Sequence, residues 1–144
     1  MKQPSRFQPT RRALLFWTHF IGLGAVAGTC MMLLDPTGKA MGMDAMLPYF
    51  QVLPFAKILF QDFTFSGIAL LIVNGLTQLA TFFAIRRGSR RAPAYGLACG
   101  VILMLWIVIQ FVIFPMNFMS TAYFVFGALQ ALTGLMWMRT VKRA

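Results

Sequence analysis

Polar side chains set inside apolar sequence are where this chain could do chemistry, and they are few, among them His19, Asn74, Thr77, Gln78, Thr81, Gln110, Gln130 and Thr133. In hydrocarbon each such residue is by default a candidate for function. A helical rise of about 1.5 Å per residue puts His19, Gln78 and Gln130 roughly 9, 11 and 12 Å from the basic ends of their helices, three side chains at one depth. Asn74 precedes Gln78 by one turn and shares its face. With Gln110, these residues form the candidate ligand-binding set, a polar pocket for the head of an amphipathic small molecule such as a lipid or a quinone. The plainer expectation for the same groups is hydrogen bonding between helices, where measured pairs average about 0.6 kcal/mol.

Other chemistries lack the residues they need. His19 is the single histidine, which excludes bis-histidine haem and the zinc constellations of three or four N/S ligands. Cys30 and Cys99 fall roughly 18 Å apart along the helix axes, too far for a disulfide. The 11 methionines include Met31, Met32, Met41, Met43, Met46, Met116 and Met119 toward one side. Thioethers are soft ligands for Cu(I), but methionine is also the ordinary filler of apolar surfaces, so no metal site is expected. The three acids are all aspartates, Asp35, Asp44 and Asp62, and none lies within an apolar run. Binding or packing is therefore favoured over catalysis, and no cofactor is required, with quinone the one organic candidate. Proton-coupled transport of a small solute is disfavoured; an oligomeric pore lined by Asn74 and Gln78 is the form it would take.

The elements that must position these residues follow from composition. With 59% hydrophobic and 11% charged residues in 144, the chain has less than half the charge that soluble domains carry, about a quarter of their residues. Four stretches free of Asp, Lys and Arg, residues 13–34, 67–85, 94–114 and 118–138, match the roughly 20 helical residues needed to cross a bilayer. Backbone groups in lipid must pair within the segment, so each run is helical whatever its β-branched content. Of 13 basic residues, four precede the first span, four (Arg86, Arg87, Arg90, Arg91) separate the second and third, and three follow the fourth. Both termini and the middle loop are thereby expected in the cytoplasm. Trp17, Tyr95 and Trp137 fall near the inner ends and Tyr49 and Tyr123 near the outer ones, as an aromatic belt would have them. The Arg11-Arg12 pair ahead of an apolar run resembles a twin-arginine export signal, but that run, reaching Leu34, exceeds a signal's apolar region and reads as a retained span.

Residues 35–66 form an apolar connection too long to be structureless. Asp35-Pro36-Thr37-Gly38 opens it as a turn, and Asp35, Pro36, Gly38 and Asp62 are expected to shape it. One or two short helices on the outer interface are expected, or an outward extension of the second span over residues 55–65. Gly24/Gly28, Gly96/Gly100 and Gly127/Ala131 are small-residue pairs suited to close helix approach. The basic rim is read as contacting anionic headgroups and not nucleic acid.

Asp35-Pro36-Thr37-Gly38, Pro54-Phe55, Asp62, Asn74-Gly75, the segment from Trp106 to Gln110, and Tyr123 with Gly127 resemble a family of small, uncharacterised four-helix bacterial membrane proteins. The overall plan is also similar to the DoxX-like group, which is associated with quinone or thiol redox systems. The resemblance implies no activity. It singles out Asp35, Asn74 and Gln110, and where that family often carries an acid in the last span this chain has Gln130. The expectation is a single all-α integral membrane domain over residues 1–144: a four-transmembrane-helix bundle, N-in and C-in, with a structured extracytoplasmic loop between its first two helices. It is expected in the bacterial inner membrane as a non-enzymatic accessory or lipid-binding subunit. The alternative is a quinone-binding accessory of a redox system, and the partners are lipids, another membrane protein or a second copy.

Overall fold

The computed structural model describes residues 8–143; Lys2 and Arg6, counted among the basic residues above, lie outside them. Four long helices carry the chain: α1 (Gln8–Leu34), α3 (Thr64–Arg86), α4 (Ala92–Ile113) and α5 (Phe118–Arg143), with a short α2 (Ala56–Leu59) between the first two. All four are long and apolar enough to cross a membrane, and no strand occurs among the described residues. α1 and α5 outrun their apolar stretches, because each continues through its flanking arginines. α1 packs on α3 and α5, and α4 on the same two, so the helices form a ring in chain order. The termini and the 87–91 turn share one end, called here the terminal end. The long connection and the 114–117 turn share the other, the loop end.

The two short turns are built by their residues. After α3 the chain reverses at Gly88, whose φ of 75° suits a residue without a side chain, and Pro93 enters the first turn of α4. Between α4 and α5, the Asn117 carboxamide oxygen accepts the Ser120 N–H at 2.9 Å and caps α5. α4 and α5 are in backbone contact. A Cβ on Gly100 would sit 2.6 Å from the Ala131 nitrogen and 2.7 Å from the Gly127 oxygen, and one on Gly134 would sit 2.6 Å from the Leu97 nitrogen. Gly96, Gly24 and Gly28 face side chains instead: Leu14, Tyr123 and Leu70 respectively.

The loop folds onto the bundle. Residues 39–41 and 44–52 wind into 3₁₀ turns, followed by α2. The outward extension of the second span over residues 55–65 does not form: Phe55, at φ 61°, starts α2, Phe60 ends it, and α3 begins afresh at Thr64. The physical reason is a set of ties between the two ends of the loop. The Phe63 N–H donates to the Pro36 oxygen at 2.9 Å, the Asp62 carboxylate accepts the Thr64 N–H at 2.9 Å, and the buried Phe63 ring lies against Gly38. Asp35 accepts from the Thr37 hydroxyl and from the Ala40 N–H. These bonds, the Thr37 hydroxyl first and the Ala40 N–H next, hold the Asp35 carboxyl below its ordinary range. Phe50, Phe63 and Phe114 form the core of this end, with Met43, Met46 and Leu53 packed around them.

Two further features depart from expectation. Trp137 is no belt residue: it is 1% exposed and packs with Leu14, Ile85 and Ala92 inside the terminal end. α3 is interrupted by a π turn over Leu71–Leu76, an irregularity that bends helices. Below it α3 packs on both α1 and α4; above it, residues 64–70 pack chiefly on α1, so α3 and α4 part toward the loop end.

Candidate functional site

At the centre of the ring, Gln78 of α3 and Gln130 of α5 face each other across the diagonal. Each amide nitrogen donates to the other's oxygen, at 2.8 and 2.7 Å, and neither side chain is exposed. Thr18, Thr81 and Cys99 nearby are satisfied locally. Thr18 donates to the Leu14 oxygen at 3.0 Å, Thr81 to the Thr77 oxygen at 2.9 Å, and the Cys99 sulfur lies 3.2 Å from the Thr81 hydroxyl. The Gln78–Gln130 pair and the Thr81–Cys99 contact join helices, while Thr18 and Thr81 also donate within their own helices.

His19 does not join it. Thr18 and Ile21 take the inward positions on α1, which turns His19 outward to lie exposed, its ring 5.3 Å from that of Phe82. The pocket expected from His19, Gln78 and Gln130 is therefore not assembled, although the two glutamines meet. Asn74 does lie inward beside them, 1% exposed, yet neither its amide nitrogen nor its oxygen has a hydrogen-bond partner. Gln110 sits elsewhere, near the loop end of α4, where its oxygen accepts from the Ser120 hydroxyl at 3.0 Å. Its amide nitrogen donates no hydrogen bond to the described residues.

Gln110 belongs to a different site. Where α3 and α4 part, the loop roofs the gap and leaves a cavity of about 210 Å³. Phe50, Phe60, Phe63 and Phe114 line its roof, Phe65 and Leu70 its α3 side, and Trp106 and Ile109 its α4 side. Met32 and Met43 complete the wall, and Ser66 and Gln110 are its polar side chains. Phe65 and Ile109 are also exposed on the bundle's outer surface, so the cavity lies next to the face that would meet lipid. It is concave, apolar and aromatic with few polar groups, the character of small-molecule sites.

The methionine set considered for copper is dispersed: Met31, Met116 and Met119 are exposed on the surface while Met32 and Met43 face the cavity. Among the described residues no three of His, Cys, Asp and Glu gather as metal ligands would. Cys30 is exposed and Cys99 buried, both as free thiols. Asp35, Pro36, Gly38 and Asp62 all serve the loop that roofs the cavity. The aromatic lining was missed by a search confined to polar residues; the signal was the phenylalanine density between Phe50 and Phe65, in a connection too apolar to lie in water. Comparison with protein-family models, with curated proteins and with solved structures finds no match to this chain.

Proposed function

We propose that the protein is a non-enzymatic membrane subunit that binds the apolar part of a lipid-soluble small molecule in the cavity between α3 and α4. The carrying observation is the cavity itself, walled by Phe63, Phe65, Trp106 and Phe114 and edged by the Gln110 amide. Stacking surfaces with one spare donor suit an acyl or isoprenoid chain, or a quinone ring, better than a charged solute. Charge supports the orientation in which this site faces the outer leaflet. Arg11, Arg12, Arg86, Arg87, Arg90, Arg91, Arg139 and Lys142 gather at the terminal end, against Lys39 and Lys57 at the loop end. By the positive-inside rule the terminal end is cytoplasmic, in a bacterial inner membrane, with the basic rim against anionic headgroups. The DoxX-like plan agrees with this reading, as an accessory that presents a bound lipid or quinone to a partner or to a second copy.

The test is mass spectrometry of protein purified in mild detergent, comparing wild type with Ala69→Phe. Ala69 lines the cavity, and a phenyl ring there would occupy the space a ligand needs. Wild type is expected to carry a lipid-soluble molecule that the variant has lost; equal retention by both, or nothing on wild type, would contradict the proposal.

A further inference from the structure

Among the described residues two buried side chains have polar atoms without a hydrogen-bond partner: Trp137, whose indole N–H lies at the terminal end, and Asn74, of which both amide atoms are unpaired. The large majority of buried side-chain polar atoms in native structures are paired, and an exception calls for a specific cause. Gln78 and Gln130, the two amides of the polar layer, are already paired with each other. The local backbone is unusual as well, because Asn74 lies within the π turn, and such turns recur at functional sites. The turn buries Asn74 and Gly75 in succession, Gly75 against Ala25 and Val26 of α1.

Position gives the orphaned amide a use. Leu70, the residue before the π turn, lines the cavity, and Asn74 follows one turn deeper, about 6 Å further along the helix. On α4, Trp106 lines the cavity and the buried Leu103 stands one turn below it. Asn74 is not itself a lining residue of the cavity; it is the unpaired amide one helical turn beyond Leu70, on the side away from the loop.

We propose that Asn74 is the head-group site for the molecule whose chain fills the cavity, and that this head is neutral and bears a hydroxyl. A carboxamide offers one acceptor and two donors, and a hydroxyl both donates and accepts, so it satisfies both orphaned atoms at once. A charged head is disfavoured by burial among apolar side chains. This assignment rests on the cavity being a ligand site and adds to it the end of the ligand that goes deepest.

The experiment uses wild-type protein in lipid nanodiscs and reads Trp106 fluorescence, isolated by subtracting the Trp106→Phe variant. The quenchers are an ω-bromoalcohol and the bromoalkane of equal chain length, each compared by its mole fraction in the membrane. Two neutral hydrogen bonds predict that the alcohol quenches at a mole fraction about tenfold lower. Asn74→Leu, close in volume, is expected to abolish that preference while bromoalkane quenching stays, which also shows that the variant is folded. A preference that survives in Asn74→Leu overturns the assignment. So does a preference lost in Gln110→Leu instead, or equal quenching by both compounds in wild type, and in each of these cases the cavity reading stands. No quenching of wild type by either compound overturns the cavity reading itself.

Discussion

The Gln78 and Gln130 carboxamides show how polar groups are retained in the interior of an apolar bundle. Each satisfies the other, so removing one leaves its partner buried and unpaired, whereas removing both leaves nothing to satisfy. Gln78→Leu or Gln130→Leu alone should cost about 1–3 kcal/mol, toward the low end given that bilayer pairs reach about 1.7 kcal/mol. The double variant should unfold close to wild type. A double-mutant cycle of unfolding in bicelles measures this, and additive single effects would refute the pairing. Depth along the helix was legible here: Gln78 and Gln130 do meet. Rotation about the helix axis was not, since a helix with apolar residues on every side carries little signal for which face is inward. That is why His19 turned out exposed and Trp137 buried.

At the scale of elements, α4 and α5 are joined by backbone contact and the others mainly by side chains. Gly100 decides that contact, because its missing Cβ would meet main-chain atoms of Ala131 and Gly127 that no rotamer change can move. Gly100→Ala should therefore push α5 away and destabilise the bundle by about 1–3 kcal/mol. Gly28→Ala, which meets only the Leu70 side chain at 3.2 Å, should cost much less. Unfolding midpoints of the two variants check the ordering, and equal midpoints would contradict it. The small residues were readable in the sequence, but their partners were not: Gly96 holds a leucine from α1, and Gly134, outside the noted pairs, makes a backbone contact. The π turn over Leu71–Leu76 had no composition to announce it. It lies where α3 changes from packing on both α1 and α4 to packing chiefly on α1.

For the molecule as a whole, four long apolar helices and the scarcity of charge describe a multi-pass membrane protein. The spans were legible because lipid removes the ambiguity between helix and strand. The cavity was not, because it depends on a loop tied back through Pro36, Gly38 and Phe63 onto a gap that opens where the loop end of α3 leaves α4. Its occupancy is the central claim, and an experimental structure of the protein in native-lipid nanodiscs tests it most directly. Elongated non-protein density is expected between Phe65, Trp106 and Gln110, beneath Phe63. A cavity closed by collapse of those side chains onto one another, with no such density, would contradict it.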